Sequence, residues 1–442
     1  MTADSITADS ITADSTAVSS VPKATTESAE DDVKKSATPG RPAIQLVPRL
    51  KGQGYEPEQI DRRRRWVESK AGVEMPLVGR HALRDENLRG NIENPVGAVQ
   101  MPLAVAGPLR VRGEHADDTF YVPMATTEGA LVRSYERGMV ALTRAGGAEA
   151  RVLQDENRVS PIFHCPTVAA AAELCARAEA LLPELRRAAE STTSHGRLLR
   201  VTPLISGRKV ILDCSFSTGD AHGMNMIVNA TDAACRELMS HLRESDSLSA
   251  VRYHIFSGYN GEKRATGSSL RGGKGKKVTA GAFLPGELLQ AVLHVDADEL
   301  VEMWHATVVG HLHTGALGYN GHYANGLTAL FIATGQDVAN VANSAVGVTQ
   351  FEATDGGLYA SVTLPSLTVA TVGGGTGLGT SRECLRLLGC FGSDKALKFA
   401  EITAALILAG ELSMAGAVAS GEFVAAHETY GRNRPNSADG DP

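Results

Sequence analysis

Aromatic side chains are scarce in this chain: Phe, Tyr and Trp make up 5% of its 442 residues, against 46 glycines. That balance disfavours stacking platforms for bases and favours tight turns and helices packed through small residues. A basic excess is missing as well. The net charge of -7 argues against a general nucleic-acid binder, whose phosphate contacts need lysine and arginine. The six cysteines (Cys165, Cys175, Cys214, Cys235, Cys384, Cys390) form no Cys-x-x-Cys pair and no zinc spacing. They read as small core residues of a reduced, cytoplasmic protein. The His311-Leu-His313 pair has no third ligand at a persuasive spacing, so no metal site is expected. An uninterrupted apolar run of about 18 residues is also lacking. The most apolar segment, near 396–427, is broken by Glu401, Glu411, Glu422 and His427, so no membrane span is expected. The first residues carry Asp and Thr where a secretory signal would carry basic and then apolar ones.

The usual nucleotide and nucleophile signatures are absent too. No Gly-x-Gly-x-x-Gly follows a strand, and no Gly-x-Ser-x-Gly elbow occurs. The run Gly267-Ser-Ser-Leu-Arg-Gly-Gly-Lys-Gly-Lys-Lys misses a P-loop, because its Lys comes one place late with no Ser or Thr after it.

What is present is an ordinary globular composition, 43% hydrophobic and 21% charged, in a chain long enough for two or three domains. Residues 1–43 open on a Thr-Ala-Asp-Ser-Ile repeat and stay rich in Ser, Thr, Ala and Glu, a composition expected to be disordered. Residues 57–70 read as a charged surface helix whose four arginines form a solvated face or meet an anionic partner. Strands are expected at 100–111 and 119–123, then a helix from Glu128 through Arg137 to Thr143. A helix at 169–189, strands at 198–205 and 209–216 and a helix at 230–243 suggest a compact α+β unit inserted in a larger domain. After a basic, glycine-rich loop at 258–277 come helices near 285–308 and 323–343. Strands at 346–352 and 358–364, a glycine turn, and helices at 380–389 and 394–428 complete the chain, ending in a polar tail at 431–442.

Within this frame a few residues resist a packing explanation. Glu128 stands in Val122-Pro-Met-Ala-Thr-Thr-Glu128-Gly129, a small-residue run where a charge fills no core. Alone it is either a capping glutamate or a catalytic acid. Lys263, Asp337 and His427 sit in equally odd small-residue settings, although His427 by itself could be a surface histidine at a helix C-terminus. Asp220-Ala-His-Gly223-Met224-Asn225 places an acid, a glycine and an amide at a strand-to-helix junction, where Gly223 permits close backbone approach. Asp220 could equally be a plain helix cap. Thr371-Val-Gly373-Gly374-Gly375-Thr376-Gly377 is a second anion-friendly turn.

Taken together, these blocks resemble class I 3-hydroxy-3-methylglutaryl-CoA (HMG-CoA) reductases over residues 49–430. The matching runs are Glu93-Asn94 through Val105-Ala-Gly-Pro108, Pro123 to Gly129, Asp220 to Met226, Gly318-Tyr-Asn-Gly-His322-Tyr-Ala-Asn325, Gly335-Gln-Asp337, Gly373 to Thr376 and Ala409-Gly-Glu-Leu-Ser-Met. The resemblance implies an α/β (α+β) fold and a homodimer or homotetramer with active sites shared between subunits. A small helical region would occupy 44–90. A large substrate and CoA domain would span 91–160 and 253–430, with an inserted ferredoxin-like NADP domain at 161–252. NADPH would reduce HMG-CoA to mevalonate and free CoA. Lys263 would stabilise the oxyanion, and Glu128, its pKa raised beside Asp337, would protonate the aldehyde intermediate. Asp337 would hold Lys263 and Glu128 in register, and His427 would protonate the CoA thiolate. Asp220, Gly223, Met224, Asn225 and the Gly373–Thr376 turn would meet the nicotinamide nucleotide. His322 and Asn325 would lie near the thioester and CoA, and Ser257, Glu262, Arg264 and Arg158 around the substrate carboxylate.

The chain also departs from the family pattern. The loop Ser257-Gly-Tyr-Asn-Gly-Glu262-Lys263-Arg264 is one residue short, with Glu262 in place of an Asp and Arg264 in place of a second Lys. Val159 stands where an Arg is usual, with Arg158 adjacent. Ala306 replaces a lysine, and the glycine-rich run after it is one residue short. Arg and Lys meet a carboxylate with different geometry, so two alternatives stay open: a related 3-hydroxyacyl-CoA substrate, or a CoA-ester binding protein without turnover. The family's membrane anchor is not expected. Neither is the serine that follows the catalytic histidine in animal enzymes, since His427-Glu-Thr-Tyr-Gly-Arg-Asn433 offers none.

Overall fold

The computed structural model describes residues 47–48 and 54–424. The expected tails at 1–43 and 431–442, and His427, lie outside the described residues. The described elements begin with α1 (Pro57–Ala71) and the short α2 (Asp85–Leu88), followed by β1 (Leu103–Gly113), β2 (Asp117–Ala125), α3 (Leu131–Arg144) and β3 (Ala148–Val159). Then come β4 (Ile162–His164), α4 (Val168–Ala180), α5 (Leu182–Glu190), β5 (Arg197–Ser206), β6 (Lys209–Ser217), α6 (Met224–Leu242) and β7 (Arg252–His254). The last third holds β8 (Gly275–Pro285), α7 (Gly286–Leu293), α8 (Ala297–Thr314), α9 (Tyr323–Thr334), α10 (Val341–Ser344), β9 (Val348–Thr354), β10 (Gly357–Leu367), α11 (Gly379–Leu387) and α12 (Ala396–Ala419).

Strand β3 belongs to two halves of one sheet. Its first part pairs antiparallel with β8 and, over three residues, parallel with β1. Its last part, Asn157 to Val159, pairs antiparallel with β6. Beyond that point the strand order β7-β4-β6, with β5 on the far side of β6, is antiparallel throughout. With α4 and α5 between β4 and β5, and α6 between β6 and β7, this is the ferredoxin-like β-α-β-β-α-β arrangement. It encloses its own apolar core, from Val159 and Phe163 to Leu248 and Val251. The mixed α/β expectation holds, and so does the ferredoxin-like order.

The other core lies in the larger half, where α12 packs against α3, β3, β8 and β10. By length and composition α12 could cross a membrane, so the sequence expectation was too strict there. Its most apolar stretch is 83% buried inside the protein, and it serves as the core helix. Burial on every side demands small, apolar residues, and α12 supplies Ala, Leu or Ile at 14 of its 24 positions. Two carboxylates break the pattern. Glu401 and Glu411 are both buried, and Glu401 receives the N–H groups of Glu114, His115 and Ala116 at 3.1, 2.8 and 2.8 Å, pinning the β1–β2 turn.

The arginine-rich helix corrects a second expectation. Arg63 is 2% exposed and donates to the Pro95 carbonyl at 3.0 Å, so one of the four arginines ties α1 to the following segment. The helix expected at 169–189 breaks at Leu181, where Pro183 enters the first turn of α5. The helix expected at 285–308 also divides, because His294 takes a φ of 57° and Asp296 with Glu299 starts α8 through a capping box.

Helices α3 and α12 cross without room for a methyl group. A Cβ on Gly138 would lie 1.8 Å from the Ala409 carbonyl oxygen, and one on Gly410 would lie 2.4 Å from the Tyr135 ring. The obstacle at Gly138 is backbone, which cannot swing aside. Gly138→Ala is expected to destabilise the protein by about 3 kcal/mol despite alanine's better helix propensity. Urea unfolding that shows an unchanged midpoint would contradict this crossing.

Candidate active site

Glu128 lies in the turn between β2 and α3, its N–H bonded to Thr126 Oγ1 at 3.0 Å. Both of its carboxylate oxygens accept from the Asn325 amide, at 3.0 and 2.9 Å. Asn325 is in the first turn of α9, so a single amide fixes both oxygens of the acid. The pair lines a cavity of about 860 Å³ together with His322, Arg133, Arg137 and Ser413. His322 stacks on Tyr135 with ring centroids 4.8 Å apart, and the Tyr135 hydroxyl donates to the His322 carbonyl at 2.6 Å. Burial pushes the His322 imidazole down to about 4, so it is neutral at physiological pH. Among the described residues its Nε2 has no hydrogen-bond partner. Arg137 braces the cavity wall by donating to Ser413 Oγ at 3.0 Å and to Glu422 at 3.2 Å.

Lys263 and Asp337 form a second group. Their Nζ and Oδ2 atoms are 2.7 Å apart, with the side chains 44% and 40% exposed. Asp337 also caps the short turn after it by accepting from the Ala339 N–H at 3.1 Å. The hydrogen bond that Lys263 donates to Asp337 raises the Lys263 pKa against a smaller effect of burial, so the amine stays an ammonium ion. Lys263 has a φ of 55°, a conformation that costs a side-chain-bearing residue energy. Neither Lys263 nor Asp337 lines the cavity of Glu128. Within one chain, then, Asp337 meets Lys263 and Glu128 meets Asn325. Among the described residues no hydrogen bond links Asp337 to Glu128.

The rest of the substrate loop folds inward. Glu262 pairs with the buried Lys274 and lies 3.5 Å from His222 Nε2. Burial alone would push the Glu262 carboxyl up, but His222 and Lys274 reverse that and hold it at about 2. Lys274 is 3% exposed, and its Nζ also donates to Asn157 Oδ1 at 2.6 Å. It lies 3.1 Å from the Met224 sulfur, and burial lowers its pKa. This lysine joins the loop before Lys263 to the glycine junction at 220–225, and sequence reasoning missed it. Its flanking glycines, Gly273 and Gly275, were the signal available, since both have positive φ and a Cβ on either would clash.

Of the expected carboxylate ligands, Arg158 pairs with Asp213 at 3.3 Å. Its Nε is buried and has no hydrogen-bond partner among the described residues. Ser257 Oγ donates to the Ser160 carbonyl at 2.6 Å, and exposed Arg264 lies over the Phe256 ring at 5.4 Å. Val159 is buried in the small core and Ala306 is exposed on α8.

At the nucleotide-type turns, Asp220 is not the cap of α6. That place belongs to Gly223, with a φ of 72°, and exposed Asn225 follows Met224 in the first turn. Asp220 instead accepts the N–H groups of Asp394, Lys395 and Ala396 at 2.8, 3.0 and 2.9 Å, capping α12. Burial pushes its carboxyl up, and those N–H groups more than reverse the shift. Its own carbonyl receives the Thr371 N–H at 2.9 Å, which brings the two glycine turns side by side. A Cβ on Gly373 or Gly374 would meet nothing within 4 Å, so this surface is open to a ligand. Beneath it, the Thr376 hydroxyl donates to the Gly373 carbonyl at 2.7 Å, and Gly375 packs backbone to backbone against Gly335.

Residues 59–432 match the family model described as hydroxymethylglutaryl-coenzyme A reductase. Two curated relatives are 3-hydroxy-3-methylglutaryl-coenzyme A reductases of archaea. The Methanocaldococcus jannaschii protein is 40% identical over 84% of this chain and 92% of its own. The Methanothermobacter thermautotrophicus protein is 42% identical over 85% of this chain and 94% of its own. A Streptococcus pneumoniae class II 3-hydroxy-3-methylglutaryl-CoA reductase solved with NADPH shares the fold, with a TM-score of 0.61 at 20% identity over 81% of this chain and 86% of that one.

The depressed Glu262 carboxyl sets a pH window. A folded-state value near 2 against the ordinary 4.5 means its contribution is complete above the unfolded value and is lost as pH falls through that interval. Glu262→Gln leaves Lys274 buried without its anion, which is strongly destabilising at neutral pH. Thermal melts are expected to show the variant's deficit shrinking as pH drops through that interval. A constant deficit would contradict the ion pair.

Proposed function

The chain belongs to the hydroxymethylglutaryl-coenzyme A reductase family, and from that premise we propose how its own residues carry the reaction. The reaction reduces the thioester of HMG-CoA to the primary alcohol of mevalonate with two NADPH and two protons, releasing CoA. NADPH, when bound, supplies the hydride for each reduction. The open Gly373–Gly374 surface beside the Asp220–Asn225 junction fits a dinucleotide. Gly223, Met224, Asn225 and Gly373 to Thr376 are the residues that would hold it. Asp220 would act by keeping the two turns together.

The observation that carries the catalytic assignment is the Lys263–Asp337 pair, held at 2.7 Å on half-exposed ground by a backbone in the left-handed region. Lys263 places an ammonium where an oxyanion develops, and Asp337 orients it. Glu128, gripped by Asn325 at the cavity, donates the proton to the aldehyde oxygen. His427 protonates the departing thiolate, and the thioester and CoA pass along His322 and Asn325. Because Lys263 and Asp337 do not line the cavity that holds Glu128, a second copy of the chain completes each site. This supports a homodimer or homotetramer.

The class I reading rests on the sequence blocks from Pro123–Gly129 to Gly373–Thr376. The small domain at 161–252, with its separate core, is the NADP domain, and 91–160 with 253–430 form the substrate domain. Six free cysteines fit the cytoplasm. A related 3-hydroxyacyl group remains the second reading, because Val159 sits in a core and Ala306 carries no charge. Arg158, Ser257, Glu262 and Arg264 would then shape the carboxylate end. Turnover of a series of 3-hydroxyacyl-CoA thioesters decides between them.

Purified protein is expected to oxidise two NADPH for each CoA thiol released, read as absorbance against thiol titration, and a ratio of one would contradict the four-electron reaction. Lys263→Ala should lose about 100-fold or more from both reductions. His427→Ala should spare mevaldehyde, which has no thiolate to protonate, while depressing HMG-CoA reduction. Equal losses on both substrates would rule out that role.

A further inference from the structure

Glu411, midway along α12, is a carboxylate in an apolar core with only donors around it. It is 2% exposed. Its oxygens accept the Gly321 N–H at 3.2 and 3.1 Å, the His322 N–H at 2.5 Å and the Thr349 hydroxyl at 2.7 Å. Among the described residues no lysine, arginine or histidine forms an ion pair with it. Burying a carboxylate without a cation is costly, and a leucine would pack this helix more cheaply. Burial pushes the carboxyl up to about 7 even though Thr349, Gly321 and His322 pull the other way. An expensive group in a core serves something else.

What it holds is the segment that leads into α9. Gly318, with a φ of 93°, packs against the Gly347 backbone, and Asn320 donates to the carbonyls of Ala345 and Gly347 at 3.0 and 3.2 Å. The next two amides, Gly321 and His322, turn inward to Glu411, whose charge also suits the N-terminal end of α9. Tyr135 closes the same turn from the other side through the His322 carbonyl. Three residues beyond His322, Asn325 holds both oxygens of Glu128.

We infer that Glu411 is a positioning residue for the proton donor: it fixes the N-terminal turn of α9, and through Asn325 the carboxyl of Glu128. The inference rests on the assignment of Glu128 made above. Glu411→Gln keeps the shape but presents an N–H to one of three donors, so the turn must shift.

The test is mevaldehyde reduction by Glu411→Gln, Glu128→Gln and the double variant. Glu411→Gln is expected to lower kcat about tenfold, the scale of a lost orienting contact, with KM for NADPH changed by less than about twofold. In the Glu128→Gln background the same change should cost almost nothing, because the group it positions is gone. Losses that multiply would overturn the inference, as would an unchanged kcat. A Glu128→Gln variant as active as wild type would instead refute the assignment of Glu128, and this inference with it. Should Glu411→Gln fail to fold, Thr349→Val removes one donor and leaves both loop amides in place. It is then expected to show a smaller kcat loss that also vanishes in the Glu128→Gln background, and a multiplying loss there would overturn the inference equally.

Discussion

A carboxylate drawn out of water must find donors, and around α12 backbone N–H groups supply most of them. Three acids bound to or carried by α12, two of them buried and Asp220 half-buried, obey that constraint. Asp220 takes the amides that start the helix, Glu401 takes those of the β1–β2 turn, and Glu411 takes those ahead of α9. Where the acid is ionised these bonds are charge-assisted, stronger than neutral ones and directional. The core helix is thereby fastened to the nucleotide-type junction at one end and to the turn behind Glu128 near the other. Removing α12 from this scheme would leave both parts of the site without a reference point.

The constraint explains why so much of the site is built from small residues. Amides can reach a carboxylate only where side chains do not intervene, and the close crossings at Gly138, Gly318 and Gly410 have no space for a Cβ. The reacting groups themselves sit outside this rigid frame. Glu128 is exposed apart from its grip by Asn325, and Lys263 and Asp337 are nearly half exposed. Rigid backing with open reactive faces suits a site that must admit two large ligands and, in our reading, a second subunit.

Much of this was legible in the sequence. Helix and strand positions followed from periodicity, and the isolated Glu128, Lys263 and Asp337 stood out because nothing in their surroundings called for a charge. The ferredoxin-like order came from the resemblance, and the pairing of β4 to β7 agrees with it. Three things were hidden. Asp220 looked like a local cap, but it caps a helix 174 residues away, and no local pattern carries that. Helix α6 begins at Met224, well before the expected 230, because a positive φ at Gly223 starts it. Arg63 looked solvated because a run of arginines shows its charge but not the Pro95 carbonyl that one of them meets. Each miss is a long-range hydrogen bond or a backbone angle, neither of which hydrophobic periodicity records.

The central claim is that Glu128 of one copy works with Lys263 and Asp337 of another. The most direct measurement mixes two inactive variants, Glu128→Gln and Lys263→Ala, by co-expression. If sites are shared, about a quarter of wild-type activity should return, since half of randomly assembled dimers are mixed and one of the two sites in each is intact. A mixture as inactive as either parent, with mixed dimers demonstrated by mass spectrometry, would show that each chain carries its own complete site and would contradict the account.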